Sequence, residues 1–238
     1  MRAYRSLGLR LSAGIVALLM AMSFAGCGER TQTQSADAVR LEREAASIQD
    51  YARRGLDENG EFMSDTQKAA VQRVADTGKV SRADYETGLS AYKQCLLDLG
   101  YKEVFFLDVG KGLKKEAQHI SGTDEQEEKY SNDSGNCFLE HSATIGELYK
   151  HQVGNPELIK DQYEAIADCL KREKLVPASY TGKQYKKERE ASFAYYENGR
   201  KGKWPFSYAE SDFARVNICL FANGYVTGDS SEPMEQLW

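Results

Sequence analysis

The segment Tyr92-Lys93-Gln94-Cys95-Leu96-Leu97-Asp98-Leu99-Gly100-Tyr101 indicates how this chain folds. An aromatic residue, a cysteine and a leucine at helical spacing precede a glycine. A glycine at such a position supplies the left-handed backbone conformation that ends many helices. We therefore expect a helix that buries aromatic and cysteine side chains on one face and stops at Gly100.

The same pattern recurs later in the chain. Cys219-Leu220 is followed by Gly224-Tyr225, and Cys169-Leu170 is followed by Leu175-Val176. Each follows a run of helical character that contains an aromatic residue. The recurrence indicates that one kind of cysteine-bearing helix is used more than once.

A further run that is typical of a helix begins at Cys137, extends to Tyr149 and stops before Asn155-Pro156. With it, the chain divides into two half-units, residues 81–155 and residues 156–228. Each half-unit contains two cysteine-bearing helices.

Four cysteines are available for structural bonds: Cys95, Cys137, Cys169 and Cys219. No two of them have the Cys-x-x-Cys spacing of a zinc ribbon or a redox site, so we expect disulfides. The half-units favour Cys95 with Cys137 and Cys169 with Cys219. Four cysteines allow two other connectivities, which the sequence leaves open.

The segments between the cysteines change in character. Glu103 to Val109 is apolar and aromatic enough for a strand, whereas Gly110 to Asn136 is charged and polar, which predicts a returning strand and an exposed loop. Residues 182–198 have the pattern of a helix with a basic face. The predicted fold is mainly α, or α+β with a short β-hairpin.

Residues 36–80 predict N-terminal helices. Ala36 to Leu56 carries an apolar stripe among charged residues. Ser64 to Thr77 starts with Ser64 and Gln67 in capping-box positions and ends at Gly78.

The N-terminus, residues 1–26, has the parts of a secretory signal. Three arginines precede an apolar run from Leu11 to Phe24, which is shorter than the roughly 20 residues that span a bilayer. The run ends in Phe24-Ala25-Gly26-Cys27, which resembles the lipobox of bacterial lipoproteins, with Phe24 where that family usually has leucine. The resemblance implies cleavage before Cys27, lipidation of the Cys27 sulfur and anchoring on the extracytoplasmic face of the cell membrane.

Cleavage would leave a polar tether, residues 27–35, and a more acidic protein. The full chain has a net charge of −5, and removal of three arginines with residues 1–26 gives −8. Basic surface supplies most of the affinity for nucleic acids and anionic lipids, so this composition disfavours both as ligands. Apart from the membrane reached through its anchor, we expect a protein or a cell-wall glycan as partner.

A second resemblance covers about residues 66–156. The stretch Gly78 to Glu86, then Tyr92 to Leu96 and Gly100-Tyr101, is similar to a segment of uncharacterised actinobacterial lipoproteins. The later residues Cys137, Tyr149 and Asn155-Pro156 resemble the second cysteine helix of that family. The resemblance implies an architecture and no activity.

No catalytic or metal-binding motif is recognisable in the sequence. Cys137 and His141 have the spacing of a thiolate dyad or half a metal site, but a disulfide at Cys137 would remove that role. Glu125, Glu127 and Glu128 could supply acid and base for glycan hydrolysis, although they lie in a solvated charge run. We therefore predict no catalytic residue, no metal and no cofactor.

Aromatic residues mark the remaining candidate site. Pairs at helical spacing, such as Phe193 with Tyr196, predict core packing. Trp204, Phe206 and Tyr208 follow no such period and lie beside the basic loop Arg200 to Lys203. Exposed rings of this kind stack on sugars or fill a partner's pocket, so these three residues are the predicted binding surface.

The sequence thus predicts an envelope-anchored lipoprotein that acts as a binding or scaffolding module rather than an enzyme. The alternative is a cell-envelope hydrolase acting on glycan or peptide, whose carboxylates converge only in the folded chain. No role is predicted for the C-terminal tail, residues 229–238.

Overall fold

Packed helices and one β-hairpin form the fold, as the sequence predicts. A computed structural model describes residues 41–228 and 231–238; the predicted signal, Cys27 and the tether lie outside these residues. In chain order the elements are α1 (Ile48–Asn59), α2 (Asp65–Thr77), α3 (Arg82–Asp98), β1 (Phe106–Gly110), β2 (Leu113–Glu116), α4 (Asp124–His141), α5 (Ala143–Gly154), α6 (Gln162–Arg172), α7 (Gly182–Glu197), a 3-10 turn (Glu210–Asp212) and α8 (Phe213–Ala222).

Capping residues set where several helices begin and end. The side chains of Ser64, Ser81 and Thr181 each accept a hydrogen bond from the backbone amide three residues later. Gly78 ends α2 with a φ of 71°, in the left-handed region, as predicted. These residues satisfy helix-terminal groups that have no partner within the helix.

The hairpin lies between α3 and α4. Its strands are antiparallel, with Phe106 opposite Glu116 and Asp108 opposite Lys114, and the register shifts between Asp108 and Gly110. The strand predicted from Glu103 therefore starts three residues later, at Phe106.

Two disulfides join the cysteine-bearing helices in the favoured pairing. Cys95 of α3 is bonded to Cys137 of α4, with Cα atoms 5.8 Å apart. Cys169 of α6 is bonded to Cys219 of α8, with Cα atoms 5.6 Å apart. The predicted two disulfide-linked helical half-units are confirmed.

In the described part of the chain, apolar side chains form three clusters. The first lies between α1, α2 and α5 and includes Val71 and Ile145. The second surrounds the Cys169–Cys219 bond between α6, α7 and α8. The third lies beside the Cys95–Cys137 bond and includes Leu237, so residues of the C-terminal tail take part in the core.

The exposed loop predicted up to Asn136 is wrong for its second half, because α4 occupies Asp124–His141. A capping box at Thr123 and Gln126 starts this helix. The sequence does not predict this helix because most of its residues are polar and Cys137 is its one fully buried residue. Cys137 therefore lies in the last turns of α4, and Ser142 separates α4 from α5 within the run predicted as one helix.

The helix predicted from Ala36 to Leu56 is wrong over residues 41–47, the first part of it that the structure describes. Described residues 41–47 are not helical, and α1 begins at Ile48 after Ser47, whose side chain caps it. Upstream of Ser47, Arg43 forms an antiparallel bridge with Ile159. Pairing with the segment before α6 competes with helix formation there.

Gln67 does not complete the predicted capping box with Ser64. Its buried side chain instead reaches the break between α4 and α5. Nε2 donates to the carbonyls of Leu139 and Glu140, at 2.8 Å each, and Oε1 accepts from the amide of Thr144 at 2.9 Å. Gln67 thereby satisfies helix-end groups that α4 and α5 leave open.

Glu235 is a buried carboxyl in the C-terminal segment, with 0% of its surface exposed. Oε1 accepts from the amide of Phe105 at 2.6 Å, and Oε2 has no hydrogen-bond partner among the described residues. Burial, with the nearby charges of Glu116 and Glu103, raises the pKa of Glu235 to about 7. The packed tail therefore favours the protonated carboxyl.

This carboxyl makes stability depend on pH. Because the pKa is raised on folding, its favourable contribution is complete below about pH 4.5 and is lost as the pH rises through about 7. We expect Glu235 to lower the free energy of unfolding by about 2 to 3 kcal/mol between pH 5 and pH 8. Urea denaturation across this range should show a flatter pH dependence for Glu235→Gln than for the unaltered protein.

Glu125→Gln, an exposed position on α4, is the control and should leave the pH dependence unchanged. An equally steep decline in Glu235→Gln would show that another group is responsible.

Candidate functional site

Two of the three predicted aromatic residues meet the basic loop in one cleft between α7 and the loop formed by residues 198–207. The cleft has a volume of about 580 Å³. Tyr195 of α7 lines it together with Trp204 and Phe206 of the loop, and Lys201 and Lys203 are also part of the lining. A cleft of this size lies within the range of small-ligand sites.

The three rings form a continuous wall. The ring centroids of Tyr195 and Trp204 are 5.7 Å apart with an interplanar angle of 87°, and those of Trp204 and Phe206 are 5.3 Å apart at 56°. All three side chains are half-buried. The indole Nε1 of Trp204 donates to the carbonyl of Tyr208 at 2.7 Å, so this ring is fixed and offers a ligand only its carbon surface.

Tyr208 lies behind this wall and is not part of the surface. It is 2% exposed, and its ring stacks on that of Phe206 with centroids 4.7 Å apart. Burial raises the pKa of Tyr208. The predicted binding surface is thus reduced to Trp204 and Phe206, with Tyr208 as their support.

The prediction that two aromatic residues of α7 pack in the core is wrong. Phe193 and Tyr196 are 58% and 46% exposed, although their spacing predicted core packing. Tyr195, between them, is the one that lines the cleft, together with Glu188 about two turns earlier. The i, i+7 spacing of Glu188 and Tyr195 is the signal that places them on one helix face.

Glu188 fastens the loop to α7. Its Oε2 accepts from the hydroxyl of Tyr180 at 2.5 Å and from the amide of Ser207 at 3.1 Å. Its Oε1 accepts from Oγ of Ser207 at 2.5 Å and from Nε2 of Gln184 at 3.2 Å. A carboxylate has about four acceptor positions, so the bonds within the protein occupy all of them.

The cleft lies in a basic part of an acidic chain. Residues 182–203 contain seven basic and three acidic residues, a local charge of +4, whereas the whole chain has −5. Arg200 is paired with Glu210. Lys201 and Lys203 are exposed and form no ion pair with any residue in 41–228 or 231–238.

The cleft does not hold the carboxylate pair that glycoside hydrolysis requires. Of the described residues that line it, only Glu188 carries a carboxylate. The predicted candidates Glu125, Glu127 and Glu128 lie in the first turns of α4, away from this cleft, where Glu127 accepts from His119 at 2.9 Å and from the amide of Gly122 at 2.7 Å. Two carboxyl groups about 5 to 9.5 Å apart are needed for that chemistry.

Two other acids, Glu116 and Glu235, lie near enough that, besides burial, the charge of Glu116 raises the pKa of Glu235, which the sequence did not reveal. The hydroxyls of Tyr92 and Tyr130 donate to Glu116 at 2.6 and 2.5 Å. Glu235 is inaccessible to solvent, so the two acids cannot act together on a substrate.

The histidines do not form a reactive centre. Cys137 is disulfide-bonded, so the thiolate dyad with His141 cannot form. Nε2 of His151 lies 3.9 Å from Glu44 and 3.8 Å from Glu147, and burial lowers the pKa of His151, which favours its neutral form. Within the described ranges, no group of three or more His, Cys, Asp and Glu residues could hold a metal ion. Nor is any helix there long and apolar enough to cross a membrane.

Glu188 offers a direct test of how the cleft is held. Glu188→Ala removes the acceptor for four donors, so we expect the free energy of unfolding to fall by about 2 kcal/mol or more. The loop should also loosen, which would shift the fluorescence of Trp204 to longer wavelength. A Trp238→Phe background leaves Trp204 as the only tryptophan.

Glu190→Ala removes a nearby exposed carboxylate of α7 and serves as the control. Equal emission and stability for Glu188→Ala and Glu190→Ala would contradict the positioning role of Glu188.

Comparison with protein-family models, with curated proteins and with solved structures finds no match to this chain. The function is therefore inferred from the chemistry of the cleft and from the sequence.

Proposed function

We propose that this protein is a membrane-anchored extracytoplasmic lipoprotein that acts as a binding module of the cell envelope, with the cleft of α7 and residues 198–207 as its recognition site. The anchor is Cys27, and residues 27–35 are the tether between the membrane and the folded part.

The cysteine chemistry supports the location. Disulfides persist in oxidising compartments outside the cytoplasm, and all four cysteines of the described chain are paired. The segment Phe24-Ala25-Gly26-Cys27, with its preceding apolar run, supplies the signal for export and lipidation. Both features favour an anchored protein that faces the envelope.

The fixed aromatic wall is the observation that carries the binding role. Trp204 is held by its bond to Tyr208, and the loop is held by Glu188. Side chains that are already ordered lose little conformational freedom on binding, which favours affinity. The rings are held in place and half-exposed, and the polar groups that hold them already have hydrogen-bond partners. Such an arrangement suits recognition of a ligand rather than catalysis.

Binding of the purified protein to envelopes from its native host tests this proposal. Trp204→Ala removes the centre of the wall and should weaken binding by about tenfold or more, the effect typical of a central aromatic contact. Phe62→Ala is the matched control, because Phe62 is 56% exposed and lies outside the cleft. Circular dichroism verifies that both variants fold.

The same preparation tests the anchor. Cys27→Ser should move the protein from the membrane fraction to the soluble fraction of the host. Unchanged envelope binding of Trp204→Ala would contradict the recognition site, and unchanged fractionation of Cys27→Ser would contradict the anchor.

A further inference from the structure

We propose that the ligand of the cleft is an acidic oligosaccharide, whose sugar rings lie against the aromatic wall and whose carboxylate or phosphate groups pair with Lys201 and Lys203. This inference rests on the proposed binding function and adds the chemical class of the ligand.

The charges of the lining favour an anionic ligand. The lining contains two lysines and one glutamate, a net charge of +1, and residues 182–203 carry +4 in a chain of −5. Two other cations of residues 182–203 are engaged, Arg200 with Glu210 and Arg189 over the ring of Tyr225 at 4.1 Å. Lys201 and Lys203 line the cleft and have no such partner among residues 41–228 and 231–238, so both are available to a ligand.

The aromatic wall favours a sugar. Aromatic faces carry partial negative charge and attract the weakly positive C–H groups of a sugar ring. Trp204 cannot donate its N–H elsewhere, which leaves stacking as its contribution. Asn198 lines the same cleft and offers an amide, which both donates to and accepts from hydroxyl groups.

Other classes of ligand fit the cleft less well. An extended peptide that adds a strand needs a free strand edge, and the lining consists of a helix and a loop. A docking helix needs a groove of aliphatic side chains, but apart from its rings and Pro205 the apolar lining is alanine. Membrane insertion requires protruding apolar groups, whereas the three rings are half-buried in a concave surface.

Isothermal titration calorimetry of the purified protein with tetragalacturonate tests the inference. Its methyl ester is the matched neutral probe, because the sugar chain is the same and the charge is removed. We expect binding of the acid to be about tenfold tighter than that of the ester and to weaken with added salt. A phosphorylated mannotetraose distinguishes phosphate from carboxylate as the preferred anion, and either preference supports an acidic sugar.

Two double variants locate the charge effect. Lys201→Gln with Lys203→Gln should remove the preference for the acid over the ester. Lys183→Gln with Lys187→Gln removes the same amount of charge from α7 outside the cleft. This variant should retain the preference for the acid over the ester.

Equal affinity for acid and ester would overturn the inference, as would tetraglutamate binding as tightly as tetragalacturonate or the absence of binding to any acidic sugar. In those cases, a loss of envelope binding by Trp204→Ala would still support the recognition site. Unchanged envelope binding by Trp204→Ala would instead overturn the proposed function itself.

Discussion

The bond between Cys169 and Cys219 is the constraint on which the candidate site depends. It closes a loop of 50 residues, and α7 and residues 198–207 both lie inside that loop. On the chain-entropy model, a closure of this length contributes about 4 kcal/mol by restricting the unfolded chain. The bond ties α6 to α8, and Tyr163 of α6 in turn packs near Tyr185 of α7, with ring centroids 6.1 Å apart. Residues 198–207 are thereby held against α7.

Glu188 fixes the loop against α7 and so defines the shape of the cleft. Its carboxylate is surrounded by donors from the residues before α7, from α7 itself and from the loop, so the geometry of the loop follows that of the helix. The same saturation leaves this carboxylate no free position for proton transfer to a substrate. Glu235, whose pKa is raised, lies two residues before Leu237 of the third cluster and is sealed from solvent. Both Glu188 and Glu235 therefore stabilise the fold, which supports the proposed binding role of the cleft.

Much of the fold could be predicted because local signals and packing agree. Ser64, Gly78 and Ser81 mark helix ends by their own chemistry, and the recurrence around Cys95, Cys169 and Cys219 favoured the observed disulfides. Prediction failed where tertiary contacts decide. α4 is polar on most of its surface, so no apolar stripe predicted it. Within residues 41–47, Arg43 pairs with Ile159, and these residues do not form a helix. At the site, Trp204 and Phe206 could be predicted from their lack of period, but the burial of Tyr208 and the part played by Tyr195 depend on how the loop folds back on α7.

Photo-crosslinking in intact host cells tests directly whether this cleft recognises envelope material. A benzophenone amino acid would replace Asn198, which is exposed and lines the cleft, and the control would carry it at Ser131, which is exposed on α4. We expect irradiation to attach envelope material to the protein substituted at Asn198 and not to the one substituted at Ser131. Equal attachment at both positions, or none at Asn198, would contradict it.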